Sequence, residues 1–357
     1  MCILGNPNSY GFIPKRACRD ALSRCFWALA KPQAPQWILD ADIKGCFDHI
    51  SHEWMLKHIP MEKRVLTTWL KSGVIDKHVF YQTDEGTPQG GIISPCLCNM
   101  VLDGLEAELK QAVPKIGSMV NVTRYADDIV VTGASRKLLE QDVLPTMRKF
   151  LAQRGLTLSA EKTKIVSIHE GFDFLGCNVR KYNGKLLIKP SKEKVQAFTR
   201  KLKALMVKCV AQSASDTYRQ LNATLRGWFT YYRPWVSKDA FCYIDGYVYQ
   251  LMWWWMKRRH KNRGKQWMYK HYHRRELTPR GTYRTAFSSV TVSKKLVFKR
   301  VTVFRLCDLS IVRYFKVKCN VSPFVKADRE YYQQRWTKAF LQRKKDKAFL
   351  AKFTLVT

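Results

Sequence analysis

The sequence predicts an α+β protein with more than one structural unit, and three observations carry that expectation. Short alternating strands mix with short helices in the first half, the pattern changes to long helical periodicity near residue 190, and almost all excess positive charge follows that change. At 357 residues, the chain is long enough for two or three hydrophobic cores. Its 46% hydrophobic and 13% aromatic content is enough to fill them and unlike that of a disordered tail.

In chain order, QWILDADI (Gln36 to Ile43) reads as a strand that ends in acids. SHEWMLKHI (Ser51 to Ile59) opens with a serine N-cap and reads as a helix. The glycines and prolines of GTPQGGIISP (Gly86 to Pro95) predict a loop, followed by a helical run through Leu109. Val120 to Gly133 reads as two strands around Ala126 to Asp128, a hairpin with an acid pair at its tip. Asn183 and Gly184 predict a second hairpin turn.

Beyond a boundary near Lys189 to Lys192, Val195, Phe198, Leu202, Leu205, Met206 and Cys209 recur at helical spacing. Leu221, Leu225, Trp228, Phe229 and Tyr232 mark a second helix that stops near Pro234, and a third runs from Lys238 through WWWMKRRHK. Ser288 to Phe304 is β-branched and reads as strands or extended arms, and QRKKDKAFLAK as a basic helix or a disordered tail.

Charge separates the two halves. Met1 to Glu170 holds 21 Lys/Arg against 18 Asp/Glu, whereas Gly171 to Thr357 holds 42 against 10 and carries +32 of the net +35. Such asymmetry predicts a nearly neutral catalytic half joined to a polyanion-binding half; the blander reading is a ribosomal-type basic protein or a solvated face. No apolar run approaches membrane-spanning length, and the N-terminus lacks the layout of a secretory signal. No Walker-type loop is present. The 11 cysteines include no CxxC, so reduced thiols in an intracellular setting are expected. His260, His271 and His273 have no cysteine or acid nearby in sequence and read as surface or phosphate-facing residues rather than metal ligands.

Taken singly, Asp127 and Asp128 are weak signals, because an acid pair at a hairpin tip is more often structural or solvated. Combined with Asp42 at a strand end, and with a PQG loop between them in sequence, they form an oxygen-rich set suited to Mg²⁺. Two such ions could activate a primer 3′-hydroxyl and stabilise the leaving pyrophosphate.

At these residues the chain resembles a known family. DADIKGCFDHI (Asp40 to Ile50), GTPQGGIISP, RYADDIVV (Arg124 to Val131), GLTLSAEKTKIV (Gly155 to Val166) and GFDFLGCNV (Gly171 to Val179) are similar to the ordered blocks of group II intron reverse transcriptase/maturases. SYGFIPKRACRDAL (Ser9 to Leu22) resembles the block before them, RQLNATLRGWFTYYR (Arg219 to Arg233) the thumb or maturase domain, and IVRYFKVKCNVSPF (Ile311 to Phe324) the basic DNA-binding region. The resemblance implies a right-hand polymerase palm with partial fingers over residues 1–189. A helical thumb/maturase domain over 190–275 and a basic nucleic-acid-binding region over 276–357 would follow.

The implied activity is RNA-templated DNA synthesis with two Mg²⁺ ions, together with intron RNA binding that assists splicing and mobility. Asp42, Asp127 and Asp128 would hold the metals, with the Ile43 carbonyl as an extra ligand. Lys162 would donate a proton to pyrophosphate; the alternative is an exposed structural lysine. Phe47 would pack under the incoming sugar and favour dNTPs; the alternative is core packing. Gln89 and Gly90 would line the nascent base pair, and Phe174, Leu175 and Gly176 would grip the primer end.

Arg226, Tyr231 and Arg233 would contact RNA, as would the run Lys257, Arg258, Arg259, Lys261, Arg263 and Lys265, which could also be a solvated helix end. Leu221, Leu225 and Trp228 share one stripe and read as core. The implied partners are group II intron RNA, a DNA primer or target and dNTPs, in a bacterial cytoplasm or an organelle, with no membrane.

Two departures shape the expectation. Only eight residues precede Ser9, where the family's first fingers block would lie, and Ile13 replaces a usual arginine. The chain reads either as an N-terminally shortened gene product or as the partner of a separate fingers-containing polypeptide, alone or as a homodimer; the alternative is a splicing cofactor that does not polymerise. No paired CxxC of an HNH endonuclease follows, so second-strand cleavage is not expected.

Overall fold

The computed structural model describes residues 6–76, 79–81, 85–87, 91–277, 282–292, 298–351 and 354–356. The chain divides into two compact units. The first comprises residues 1–175, 179–187 and 314–329, and the second 176–178, 188–313 and 330–357.

The first unit begins with helix α1 (Cys18–Leu29), strand β1 (Trp37–Asp42) and helices α2 (His52–His58) and α3 (Lys63–Leu70). Ser51 caps α2 as the sequence suggests, its hydroxyl accepting from the Trp54 N–H at 3.2 Å. Strands β2 (Val74–Asp76) and β3 (Val79–Tyr81) then form a two-stranded ribbon. The helical run expected through Leu109 is in fact two helices, α4 (Ser94–Val101) and α5 (Leu105–Gln111). Gly104, at φ +86°, breaks the run between them.

Strands β4 (Asn121–Tyr125) and β5 (Asp128–Gly133) form the expected hairpin. A short helix α6 (Arg136–Leu138) passes through a π-turn (Leu139–Val143) into α7 (Leu144–Ala152), and strand β6 (Lys164–Ser167) follows. The central sheet has the order β4-β5-β1-β6, with every pairing antiparallel.

Strand periodicity explains how this sheet carries acids without burying them in its core. Leu39 and Ala41 of β1 join Ile129, Val131, Met55, Leu66, Leu97, Val101, Leu105 and Phe150 in one hydrophobic core. Asp40 and Asp42 alternate with Leu39 and Ala41 and therefore belong to the opposite face. Segment 314–329 also belongs to this unit, although the sequence groups it with the basic C-terminal region. Fully buried Asp20 provides the physical reason, because its carboxylate accepts from the Val317 N–H at 2.7 Å and the Tyr314 hydroxyl at 3.0 Å.

Strands β7 (Phe172–Phe174), β8 (Cys177–Tyr182) and β9 (Lys185–Pro190) form a three-stranded sheet. Asn183 and Gly184, at φ +46° and +78°, make the expected turn between β8 and β9. In the second unit, helices α8 (Lys192–Lys208), α9 (Ala214–Tyr232), α10 (Lys238–Arg259) and α11 (Lys265–Tyr272) precede strands β10 (His273–Leu277), β11 (Tyr283–Val292) and β12 (Phe298–Thr302). Helix α12 (Arg329–Ala351) and strand β13 (Thr354–Val356) complete the chain, and β10-β11-β12-β13 form an antiparallel sheet.

The helical stripes read from the sequence become the core of the second unit. Phe198, Leu202 and Met206 of α8 are buried, as are Leu221, Leu225 and Phe229 of α9 and Phe241, Met252 and Trp255 of α10. Trp228 stacks on Phe198 at 4.8 Å, which makes it a packing residue. No helix among the described residues is long and apolar enough to cross a membrane.

Candidate active site

Strand register brings the distant acids together. Asp42, the last residue of β1, lies directly opposite Asp128, the first residue of β5, and Asp127 occupies the turn just before it. A cleft of about 470 Å³ is lined by Asp42, Ile43, Phe47, Asp127 and Lys162, five of the residues singled out in the sequence.

Backbone contacts set this cleft. The Ser159 N–H donates to the Asp42 carbonyl at 2.8 Å, the Lys44 N–H donates to the Thr157 carbonyl at 3.0 Å, and Ile43 forms an antiparallel bridge with Leu158. The loop beyond Ser159 is thereby fastened along the end of β1. It places the Lys162 ammonium 3.0 Å from an Asp42 carboxylate oxygen. That hydrogen bond and charge raise the lysine pKa, with smaller contributions from Asp128 and Asp127, so the ammonium form is favoured at neutral pH.

The cluster is electrostatically strained towards protonation or cation binding. Burial, followed by the negative charges of Asp127 and Asp42, pushes the Asp128 carboxyl up to about 6, with Lys162 opposing. Asp40 is pushed up to about 7 by burial and then by Asp128, Asp42 and Asp173. The sequence reading omitted Asp40, yet the D-x-D spacing already placed it on the Asp42 face.

The donors available are carboxylates and carbonyls, the hard oxygen ligands that Mg²⁺ prefers. Among the described residues, no three His, Cys, Asp or Glu side chains converge closely enough to form a metal cage by themselves. Such a set fits an ion that completes its shell with water and substrate phosphates.

Phe47 both lines the cleft and packs against the core, meeting Phe12 edge-on with ring centroids 6.3 Å apart. Its carbonyl accepts from the Thr87 N–H at 2.5 Å, and the Gly86 N–H donates to the Ile50 carbonyl at 2.9 Å. A side chain at Gly86 would collide with the Phe47 and Asp48 carbonyls. These contacts dock the start of the glycine-rich loop beside the cleft. Gln89 and Gly90 lie outside the described residues.

Phe174 is buried, and Leu175 and Gly176 take φ +49° and +73° in the turn before β8. The Gly176 carbonyl accepts from the Tyr232 hydroxyl and the Ser191 N–H, each at 3.1 Å.

The basic residues of the second unit fall into two groups. Arg226, Lys257, Arg258, Lys261, Arg263 and Lys265 are exposed, and Tyr231 is half-buried. Arg258 lies over Trp254 at 5.5 Å and Arg263 over Trp267 at 5.1 Å, pairing charge with stacking surface. Arg233 and Arg259 differ because their guanidinium groups are engaged inside the unit. Arg233 pairs with Asp346 at 2.5 Å and donates to the Ser310 carbonyl, whereas Arg259 donates to the Val210 and Gln212 carbonyls. The histidines are likewise occupied by packing: His271 stacks on Trp267, His273 on Tyr269, and His260 Nε2 lies 2.6 Å from the Tyr272 hydroxyl.

Comparison with known proteins gives two family matches, neither of which reaches residues 274–357. Residues 2–179 match the family described as reverse transcriptase (RNA-dependent DNA polymerase), and residues 195–273 match the group II intron, maturase-specific domain. The group II intron-encoded protein LtrA of Lactococcus lactis subsp. cremoris is 35% identical over 104 residues, which is 28% of this chain and 17% of that protein. Protein YkfC of Escherichia coli (strain K12) is 27% identical over 241 residues, covering 56% of this chain and 63% of its own length. The putative COX1/OXI3 intron 2 protein of Saccharomyces cerevisiae is 24% identical over 230 residues, covering 48% and 27% respectively.

Proposed function

The chain belongs to the group II intron reverse transcriptase/maturase family, and from that premise we propose that it copies RNA into DNA and binds intron RNA to assist splicing and mobility. The observation that carries the catalytic half of this reading is the β1–β5 register, which sets Asp42 opposite Asp128 while Asp127 and Lys162 line the Asp42 cleft.

Asp42, Asp127 and Asp128, with the Ile43 carbonyl, would hold two Mg²⁺ ions. When bound, these supply charge neutralisation to the triphosphate and acidify the primer 3′-hydroxyl. Lys162, kept protonated by Asp42, would give its proton to the departing pyrophosphate oxygen. Phe47 would form a floor under the incoming sugar and exclude a 2′-hydroxyl. Gln89 and Gly90 would contact the new base pair, and the Phe174–Leu175–Gly176 turn would meet the primer end.

In the second unit, Arg226, Tyr231, Lys257, Arg258, Lys261, Arg263 and Lys265 would face intron RNA. Arg233 and Arg259 would support that surface from within. Intron RNA, the DNA primer or target and dNTPs would then be the partners, in a bacterial cytoplasm or an organelle.

A second reading, splicing support without polymerisation, needs only the maturase-specific match over residues 195–273. Primer extension by the full chain on an RNA template separates the two. The polymerase reading expects dNTP incorporation that Asp127→Ala abolishes while RNA affinity stays unchanged. Incorporation that survives Asp127→Ala would refute the catalytic assignment, and its absence from the wild type alongside tight RNA binding would favour the second reading.

A further inference from the structure

Segment Asn8–Gly11 lies against the hairpin that carries the acid pair. Ser9 and Arg124 form a parallel bridge, the Arg124 N–H donates to the Asn8 carbonyl at 3.0 Å, and the Tyr10 N–H donates to the Arg124 carbonyl at 2.9 Å. The segment is itself anchored. Asn8 Nδ2 donates to both carboxylate oxygens of Glu106 at 2.8 and 3.0 Å, and the Tyr10 ring is buried.

Gly11 is where the segment meets the turn. Its φ does not fall in the left-handed region, so backbone conformation alone would admit another residue. A Cβ there would instead lie 2.3 Å from the Ala126 nitrogen and 3.0 Å from its Cα and Cβ. Ala126 immediately precedes Asp127 and stands at φ +57°, a conformation unfavourable for alanine that its surroundings must hold in place.

A polar circuit completes the contact. Asn99 Nδ2 donates to the Gly11 carbonyl at 3.0 Å, and Asn99 Oδ1 accepts from Arg124 Nη1 at 3.0 Å. The same Arg124 nitrogen reaches the Ala126 carbonyl at 3.4 Å. Arg124 is 3% exposed and Asn99 is half-buried, so water competes little for the Arg124 end of the circuit.

We propose that Gly11, Asn99 and Arg124 form a positioning clamp, which sets the depth of the Ala126–Asp127 turn so that Asp127 shares the Asp42 cleft. The clamp rests on the polymerase reading above. Gly11 acts by close approach, Asn99 by bridging the two backbones, and Arg124 by holding the Ala126 carbonyl. None of the three lines the Asp42 cleft.

The test is pre-steady-state dNTP incorporation by the full chain carrying Gly11→Ala, compared with wild type. A displacement near 1 Å is expected to lower the rate constant about 100-fold. Burst amplitude, template–primer affinity and dNTP KM of the folded variant should stay within about twofold, because no residue proposed to contact substrate is changed. Loss of amplitude alone, or an unchanged rate constant, would overturn the clamp. Asn99→Asp keeps the acceptor for Arg124 and removes the donor to Gly11; it is the second variant should Gly11→Ala not fold. It must lower the rate constant about tenfold, and an unchanged value again overturns the proposal.

If wild type shows no incorporation, the polymerase reading fails and the clamp is judged by metal binding alone. The thermal upshift on adding MgCl₂ must then be smaller in Gly11→Ala, or in Asn99→Asp where Gly11→Ala does not fold. Equal upshifts would exclude a clamp acting on Asp127.

Discussion

The acid hairpin of the first unit and the basic run of the second use charge in opposite ways. Asp40, Asp42, Asp127 and Asp128 are few, crowded and partly buried, and two of them are pushed towards the neutral form. Lys257, Arg258, Lys261, Arg263 and Lys265 are strung along the surface and exposed. The first arrangement is costly and fixes atoms for chemistry, whereas the second is cheap and suits a polyanion of variable shape. Net charge therefore suits the second unit to a polyanion, but side-chain geometry decides which residues are available to meet it.

The sharpest way to break this contrast is at Asp42. Asp42→Asn removes a proposed metal ligand and the Lys162 partner together, and primer extension should fall by about 10³-fold or more. A loss below tenfold would contradict the assignment of Asp42 as a metal ligand.

Next in size, replacing Lys257, Arg258, Lys261 and Arg263 with alanine should weaken RNA binding by about 100-fold at moderate salt. The slope of log affinity against log salt should become shallower by about 3. An unchanged slope would mean that this run is a solvated helix end.

Arg259→Gln sharpens the distinction within the basic unit. Its guanidinium serves the Val210 and Gln212 carbonyls, so thermal denaturation should show a loss of about 1–3 kcal/mol while the salt slope of RNA binding stays the same. A shallower slope with unchanged stability would move Arg259 into the RNA-contacting group.

The smallest effect concerns pH. Asp128 binds its proton more tightly when folded than when unfolded, so its favourable contribution is fully present below about pH 4 and is lost as pH rises through about 6. In metal-free buffer at pH 7.5, Asp128→Asn should therefore be more stable than wild type by about 1 kcal/mol, after allowance for screening of a partly exposed side chain. The gap should close as the pH falls towards 4, and MgCl₂ should narrow it by stabilising wild type. A variant less stable than wild type at pH 7.5 would contradict the proposed repulsion.

Much of this contrast is legible in the sequence, because local rules govern it. The β1 strand, the hairpin and the stripes of α8, α9 and α10 follow from period-2 and period-3.6 patterning. Asp42, Asp127 and Lys162 are readable as a group through the order of their motifs. What escapes the sequence depends on packing between distant segments. Asp20 looks like an ordinary acid in a helix, yet it is fully buried and holds the backbone at Val317. Gly11 looks like an ordinary loop glycine, and its close approach to Ala126 is visible only in the fold. Arg233 and Arg259 look like any other basic residues until their carboxylate and carbonyl partners are seen. Gly104 breaks a helical run whose apolar spacing carries straight through it.

The central claim is a division of labour, with an acid site for synthesis in one unit and a basic surface for RNA in the other. Its most direct test measures incorporation by RNA-saturated protein, and RNA affinity, for wild type, Asp127→Ala and the Lys257/Arg258/Lys261/Arg263 alanine variant. The account expects Asp127→Ala to lose synthesis while retaining affinity, and the basic variant to lose affinity while synthesising normally once saturated. Both variants losing both properties, or Asp127→Ala still synthesising, would contradict it.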